Sequence, residues 1–427
     1  MRIALVAPSS DPLATHLDPR SATEAARVLS LARELAAAGH RVTVYSRKDS
    51  RALPASAIAA PGVAVEYVTA GPPEPLSEEK LTAHLPEFGD YLAQRWRRNR
   101  PDIVHAHCWT MGLAALAGAR GLGVPVALTL GSLGAAEQRL GLPGGPSGAR
   151  IRLEACIARS ADVVLASSAE ELADLARLGV PRARVRVVPC GVDTRQFSPE
   201  GPVAERNGRP RLVAAEPLTQ PESLTIAVQA LAEIPDAELV ITGGPDKAGL
   251  ARDKARKELM RLARALGVAN RLVFTGRIAP AGLPALLRSA DVLVSASPCE
   301  PVGMVALQAM ACGTPVVASA AGAAPDAIVD MTTGLLSPPG QPAQLALRVR
   351  RLLANSLRLE AYGIAAADRA TSRYPWERIA RETMAAYACC ARRPAATASA
   401  RQAQPRQAQP RQAEPRQARR VPAGAPA

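Results

Sequence analysis

The stretch at positions 300–319, EPVGMVALQAMACGTPVVAS, constrains the fold of this chain more than any other. It follows an apolar run at 292–294 that is typical of a buried strand. Pro301 stands where a helix can begin, because a first-turn proline loses no required hydrogen bond. Apolar residues then recur at helical spacing until Gly313 ends the helix, and 314–318 is predicted to be the next strand. The order strand, tight loop, short helix, strand predicts a β–α–β connection in a parallel sheet.

The loop of this connection is a candidate binding site. The first N–H groups of the helix, near Gly303, Met304 and Val305, are expected to face the mouth of the loop. A helix start suits a phosphate or the polar edge of a sugar. Glu300 would stand beside that mouth as an acceptor for hydroxyl groups. An ordinary β–α–β connection with no ligand is the alternative interpretation of the same residues.

Length and composition bound the class of protein. A chain of 427 residues is expected to hold two domains plus extras, and its 48% hydrophobic residues can build a large core. No window reaches about 18 uninterrupted apolar residues, so no transmembrane helix is predicted. The apolar run at the N-terminus is too short for a signal peptide. The seven cysteines show no CxxC and no metal-ligand spacing, which predicts free thiols in a reducing, cytoplasmic compartment.

The positive charge is concentrated at the C-terminus. Of the net charge of +14, the segment 392–427 contributes half, with eight arginines and one glutamate. Arg-Gln-Ala-Gln-Pro repeats there, and the segment has no bulky apolar residues, so 391–427 is predicted to be a disordered tail. Its arginines favour weak, salt-dependent contact with RNA or anionic lipid, which would place the protein at the periphery of a membrane. A solvated tail without a partner is the alternative.

The first half of the chain opens with a doubly wound pattern. An apolar strand at 2–7, an amphipathic helix at 23–39 and a strand at 41–45 form a β–α–β unit. A strand at 64–68 and one long polar helix at 76–98 are predicted to follow. The predicted fold class is therefore α/β with parallel sheets.

The segment 102–107, DIVHAH, ends a predicted strand with two histidines. One interpretation puts His107 at the ligand-binding edge of the sheet. The alternative is that His105 and His107 close the strand through hydrogen bonds. Two histidines with one residue between them are also a weak metal signal, because no third ligand is near in the sequence.

Four stretches resemble a known protein family. They are the stretch 300–319, ADVVLASS at 161–168, VRVVPCGVDTRQF at 185–197 and AELVITGGP at 237–245. Together they resemble the retaining family 4 glycosyltransferases, which have the GT-B fold of two Rossmann-like domains facing a cleft.

The resemblance implies the following domain boundaries: an N-terminal acceptor-side domain at 1–198, a linker at 199–210, a C-terminal nucleotide-sugar-side domain at 211–374, a helix at 375–390 that crosses back to the first domain, and the tail at 391–427. It implies transfer of a hexose from a nucleotide sugar to a hydroxyl acceptor with retention. It also implies that no metal or cofactor takes part besides the donor substrate.

The resemblance also implies roles for individual positions. Glu300 and His107 take the catalytic positions, with His107 on the acceptor side of the cleft. The donor-binding positions are Gly243, Gly244, Arg277, Gly303, Met304, Val305 and Gln308. For the two glycines of 243–244 a plain turn is the alternative, and Arg277 is a candidate cation for the donor.

The chain departs from the family pattern at the donor site. The segment 18–23 lacks the family's pair of glycines, Gly131 replaces a histidine, and Pro217 and Glu222 replace an arginine and a lysine. Gln308 replaces a glutamate that would bind the ribose. Because these changes cluster at the site, two hypotheses stay open: an active glycosyltransferase, and a non-catalytic paralogue that acts as a partner or regulator. A third, a nucleic-acid binder, rests on the tail alone.

Removing the tail after Ala391 should leave the thermal unfolding midpoint nearly unchanged, because the tail holds no core residues. Circular dichroism melts of the full chain and the truncated chain, side by side, check this. A drop of several degrees would mean that the tail docks on the folded part.

Overall fold

The computed structural model describes residues 1–7, 11–13, 19–141, 145–219, 221–297 and 302–391. The strands in these ranges are β1 (Arg2–Val6), β2 (Arg41–Arg47), β3 (Ser56–Ala60), β4 (Val63–Val68), β5 (Ile103–His107), β6 (Val126–Thr129), β7 (Val163–Ala166), β8 (Val185–Val187), β9 (Arg211–Ala214), β10 (Glu238–Thr242), β11 (Leu272–Gly276), β12 (Val292–Ser295), β13 (Val316–Ser319) and β14 (Gly334–Ser337). The α-helices are α1 (Pro19–Ala37), α2 (Glu78–Thr82), α3 (Leu85–Arg98), α4 (Trp109–Ala119), α5 (Gly134–Arg139), α6 (Gly148–Ser160), α7 (Ala169–Arg177), α8 (Pro221–Ala232), α9 (Lys254–Ala265), α10 (Leu283–Arg288), α11 (Met304–Ala311), α12 (Ala324–Ala327), α13 (Pro342–Leu353), α14 (Ser356–Arg373) and α15 (Trp376–Ala391).

The first sheet has eight strands in the order β3-β4-β2-β1-β5-β6-β7-β8. Its strands are parallel except β3, which pairs antiparallel with β4 at the sheet edge. Along β1, Ala4 and Val6 belong to the core that α3 and α4 cover, whereas Ile3 and Leu5 belong to the core that α1 and α15 cover. Helices therefore bury both faces, as a doubly wound sheet requires.

The second sheet has six parallel strands in the order β11-β10-β9-β12-β13-β14. Its central strand β9 alternates in the same way, with Leu212 and Ala214 in one core and Val213 in the other. The predicted fold class, two doubly wound α/β domains, is confirmed. The segment that follows β8 and leads to β9 holds the predicted linker.

The last helix, α15, packs on α1 and β7 of the first domain. Its Tyr387 hydroxyl lies 2.8 Å from Nδ1 of His105 on β5, and both side chains are buried. Val192, beyond β8, forms a parallel bridge with Pro375 just before α15. The chain therefore begins and ends its described part on the same domain.

Two local predictions are wrong. The single helix expected at 76–98 is two helices, α2 and α3, because Pro86 in the first turn of α3 has no N–H to continue the ladder. The helix expected to start at Thr23 starts at Pro19, so the loop before it is shorter than predicted. The sequence also gave no signal for β3, whose residues are largely small.

Helices α11 and α14 approach each other closely enough for their backbones to touch. Gly313, just after α11, has a φ of 74°, which agrees with its predicted role as a helix stop. Gly363 lies inside α14 opposite to it, and a Cβ on Gly363 would lie 2.4 Å from the Gly313 carbonyl oxygen. A side chain at position 363 would push α14 away from α11.

Replacing Gly363 with alanine should destabilise the protein by about 1–3 kcal/mol, because the added methyl group meets rigid backbone. This loss should outweigh the gain of about 1 kcal/mol from the higher helix propensity of alanine. Gly148→Ala is the matched control, since a Cβ there meets only the end of Arg152 at 3.5 Å. Urea unfolding measures the free energy of unfolding of both variants. An equal change in the two variants would contradict the close packing of α11 and α14.

Candidate active site

The start of α11 lies at the carboxyl edge of the second sheet, after β12. Its N-cap residue, Gly303, has a φ of 68° and is buried, and a Cβ on it would lie 3.3 Å from the Cβ of Ala323. Met304 and Val305 begin the helix, where N–H groups have no acceptor inside the helix. Gln308 is half-buried one turn further on. Four of the predicted site residues therefore lie on the N-cap and first turns of one helix. Glu300 lies outside the described residues.

Gly243 and Gly244 end β10 and lie against the turn after β9. A Cβ on Gly243 would be 2.9 Å from the Glu216 carbonyl oxygen, and a Cβ on Gly244 would be 2.5 Å from Cδ1 of Leu218. Both glycines have positive φ values, 126° and 81°. The need for glycine is thus accounted for by contacts within the chain, which favours the plain-turn alternative. A donor-binding role for these glycines stays a prediction.

The turn after β9 carries negative rather than positive side chains. Pro217 is half-buried, and Glu222 is exposed in the first turn of α8. The buried Glu216 carboxylate accepts hydrogen bonds from the hydroxyls of Ser223 and Ser295, the latter at 3.2 Å. Arg277 is exposed after β11, and its backbone N–H donates to the Pro245 carbonyl at 2.9 Å. The backbone of Arg277 therefore lies against the turn that follows β10, and its exposed side chain is a cation at that edge of the sheet.

His107, at the end of β5, is buried, and neither ring nitrogen has a hydrogen-bond partner among the described residues. Its ring lies 4.3 Å from that of His105, centroid to centroid. His105 itself is held by Tyr387 and by the Thr129 hydroxyl at 2.9 Å. The strand-closing interpretation therefore applies to His105 and not to His107. Burial, together with the positive charge of Arg27, lowers the pKa of His107 to about 3, so the imidazole is neutral.

A small cavity of about 30 Å³ lies beside His107. Arg27, Cys190 and Thr383 are among the residues that line it. A polar cavity of this size can hold water. The unpartnered imidazole therefore faces a space in which a hydroxyl or a water molecule can bond to it.

An ion pair that the sequence did not predict occupies the neighbourhood of Gly131. Nη1 of Arg27 lies 3.0 Å from Oε1 of Glu24, and both residues are on α1. A Cβ on Gly131 would lie 3.3 Å from that Glu24 oxygen and 3.6 Å from the Arg27 nitrogen. The two charged groups therefore flank the position where the family carries a histidine. The spacing of three residues on a helix was the only signal for this pair in the sequence.

Hydrogen bonds join the two domains directly. The Ala169 N–H at the start of α7 donates to Oδ2 of Asp326 at 2.6 Å. In the opposite direction, the Gly322 N–H donates to Oε2 of Glu170 at 2.5 Å. Gly322 is adjacent to Ala323, which touches Gly303. A carboxylate of the first domain is thus bonded next to the start of α11.

No group of three or more His, Cys, Asp or Glu residues in the described part of the chain is placed to hold a metal ion. No helix within it has the length and apolar character needed to cross a membrane.

The sequence matches two family descriptions: Glycosyltransferase Family 4 over residues 25–196 and Glycosyl transferases group 1 over residues 205–369. A D-inositol 3-phosphate glycosyltransferase from Acidothermus cellulolyticus is 32% identical over 421 residues, covering 93% of this chain and 92% of that protein. The structure of sucrose-phosphate synthase from Thermosynechococcus elongatus superimposes with a TM-score of 0.82 at 28% identity, covering 91% of this chain and 98% of that one. The Anabaena protein HepE, in complex with UDP-glucose, has a TM-score of 0.69 at 18% identity, covers 91% and 99%, and shares the fold.

His107→Gln should reduce the loss of stability that accompanies acidification. An unfolded histidine takes up a proton below its ordinary pKa of 6.5, whereas folded His107 does so only near 3. Its contribution to stability therefore falls as the pH drops from 6.5 toward 3, by up to about 1.4 kcal/mol per pH unit. Urea unfolding at about pH 7 and about pH 5 should show a loss smaller by roughly 1–2 kcal/mol in the variant. Equal losses in both proteins would contradict the buried, neutral imidazole.

Proposed function

Because the chain belongs to glycosyltransferase family 4, we propose that it transfers a hexose from a nucleotide sugar to a hydroxyl group of an acceptor, with retention of the anomeric configuration. The observation that carries this proposal is the start of α11 at the carboxyl edge of the second sheet. In open α/β sheets, ligands bind outside the carboxyl ends of the strands.

On the donor side, the N–H groups of Met304 and Val305 bind the sugar or its phosphate, and Glu300 accepts hydrogen bonds from sugar hydroxyls. Gln308 bonds to the ribose. An amide can both donate to and accept from ribose hydroxyls, so the contact survives the loss of the carboxylate, though without its charge. Arg277 supplies a cation for the diphosphate in the absence of cations at Pro217 and Glu222. The helix start and Arg277 stabilise the leaving diphosphate electrostatically, with no metal in the proposed reaction.

On the acceptor side, the neutral imidazole of His107 offers one donor and one acceptor to a hydroxyl group. The Glu24–Arg27 pair flanks Gly131 and presents polar atoms where the family has a histidine. The hydrogen bonds made by Glu170 and Asp326 hold the first domain close to the start of α11. Bringing acceptor and donor together in this way is the main contribution that two facing domains make to group transfer.

The alternative is a non-catalytic paralogue that acts as a partner or regulator. The specific observation in its favour is the charge of the turn after β9, where Glu216 and Glu222 stand close to the expected diphosphate position. Each close cation contributes about 1–4 kcal/mol to binding a phosphate, at effective dielectrics of about 80 to 20. Without cations other than Arg277, donor binding in the millimolar range is expected.

Titration of the purified full-length protein with UDP, GDP and ADP sugars tests the proposal. Saturable binding of one nucleotide sugar, followed by release of its nucleotide in the presence of an acceptor, is the expected result. NMR of the product reports the anomeric configuration, and inversion would contradict the proposed retention. Binding of none of these sugars, or binding without turnover on any hydroxyl acceptor, would favour the non-catalytic alternative.

The double substitution Pro217→Arg with Glu222→Lys should tighten nucleotide-sugar binding by roughly one to three orders of magnitude, because it restores two cations near the diphosphate. Calorimetric titration measures the change. Glu258→Lys, on the exposed side of α9, adds two of the same three positive charges away from this turn and is the control for the change in overall charge. An equal effect of the control, or no gain from the double substitution, would mean that the diphosphate does not bind at this turn.

A further inference from the structure

A single arginine of the first domain is surrounded by three carboxylates. Nε of Arg150 lies 2.7 Å from Oε1 of Glu154, and its Nη1 and Nη2 bond to the two Glu137 oxygens at 3.3 and 3.2 Å. Oε1 of Glu78 is 3.9 Å from Nε of the same guanidinium. The three acidic residues come from three different helices, α6, α5 and α2. The guanidinium is therefore engaged on several sides by the chain's own carboxylates.

The carboxylates are themselves held in place. Oε2 of Glu154 accepts the N–H of Gly134, the first residue of α5, at 2.7 Å, and the Glu154 side chain is fully buried. Glu78 accepts the indole N–H of Trp109, the first residue of α4. Both kinds of group that ordinarily bind phosphate, a guanidinium and a helix-start N–H, are thus already occupied by carboxylates here.

This cluster lies at the carboxyl edge of the first sheet. Trp109 lies two residues after His107, the last residue of β5. Gly134 lies five residues after the end of β6. The edge is the part of an α/β sheet where ligands bind. The side chains of Glu78 and Glu137 are 42% and 19% exposed, so both acidic side chains are in part open to solvent.

Neighbouring arginines at this edge are also paired. Arg27 bonds to Glu24, and Arg139 bonds to Glu170 at 2.7 Å and to Asp174. Burial raises the pKa of the Glu154 carboxyl, against the effect of Arg150. Even with Glu154 neutral, two carboxylates face one guanidinium. The ends of β5 and β6 therefore present negative charge, on a chain whose net charge is +14.

We infer that the acceptor of this protein meets the ends of β5 and β6 with uncharged hydroxyl groups, as a neutral polyol or sugar does, and not with a phosphate. Hydroxyls donate to the carboxylates of Glu78 and Glu137, whereas a phosphate would have to displace them from Arg150 against their repulsion. This specificity rests on the proposed function. It differs from what the names of the similar proteins indicate, a D-inositol 3-phosphate glycosyltransferase and a sucrose-phosphate synthase.

The first experiment compares matched acceptors on the full-length protein, with the nucleotide sugar that the titration identifies. The pairs are myo-inositol with myo-inositol 3-phosphate, glucose with glucose 6-phosphate and fructose with fructose 6-phosphate. In each pair that is used, the uncharged member should have a kcat/KM at least about tenfold higher. A higher kcat/KM for a phosphorylated member overturns the inference unless the phosphate binds away from the ends of β5 and β6.

A competing site makes the second comparison necessary. Lys48 and Arg51, after β2, line a separate pocket with Thr69 and Pro73. If a phosphorylated acceptor is preferred and that preference is lost in Lys48→Gln with Arg51→Gln, the phosphate binds there and the ends of β5 and β6 are left to hydroxyl groups, as inferred. If the preference persists in this variant, the inference is overturned.

The third experiment does not depend on turnover or on the identity of the acceptor. Glu78→Gln with Glu137→Gln removes two of the three carboxylates around Arg150 and leaves only Glu154 on its Nε, so the affinity for myo-inositol 3-phosphate in calorimetric titration should rise at least about tenfold over the unmodified protein. Glu360→Gln, on the exposed surface of α14, should leave that affinity unchanged. If the double variant does not fold, Glu137→Gln alone is used, with a smaller gain in the same direction. If the affinity does not rise in a folded variant, these carboxylates do not exclude phosphate and the inference is overturned. Failure of the proposed function alone would instead show as a lack of nucleotide-sugar binding.

Discussion

The position of the α11 start is the constraint on which the candidate donor site depends. It is held from several directions: β12 and β13 pair in parallel on either side of the helix in sequence, Gly303 packs against Ala323, and Gly313 after the helix touches Gly363 of α14. The contacts at the two ends of the helix require glycine or a short side chain. Because backbone packs directly on backbone, a helix start held in this way can keep its N–H groups aimed at one place.

Charge pairing gives the two sides of the site different character. In the described part of the second domain, Arg277 is the predicted cation. The segment after β9, by contrast, carries Glu216 and Glu222. In the first domain the arginines at the sheet edge are matched or outnumbered by carboxylates, and His107 is kept neutral by burial. Half of the net positive charge of the chain lies in the tail.

The hydrogen bonds between the domains link these two sides. Glu170 lies in the first turn of α7 and makes two interactions there. It forms an ion pair with Arg139, and it accepts a hydrogen bond from the Gly322 N–H beside the α11 start. Asp326 makes the reciprocal bond to Ala169. Because each bond joins a carboxylate to a helix-start or turn N–H, charge and helix dipole act in the same direction.

Much of the fold follows from the sequence alone. Apolar strands, helical periodicity and the glycine after α11 predicted two parallel-sheet domains and located α11 to within a few residues, because these signals are local and repeat along the chain. The break between α2 and α3 was missed although Pro86 was visible, since the periodicity on either side continued. The strand β3 carried no pattern of its own, and it exists because β4 offers it an edge to pair with.

The chemistry of the site divides in the same way. The sequence by itself determined which residue types stand at the strand ends and helix starts, and it showed that Gly131, Pro217, Glu222 and Gln308 depart from the family pattern. Only the tertiary structure decided how charges pair: that Glu78 and Glu137 meet Arg150, that Glu24 and Arg27 flank Gly131, and that His105 has partners while His107 has none. The physical reason is that the energy of a charge or hydrogen bond depends on distance and burial in space, and neither can be read from the order of residues along the chain.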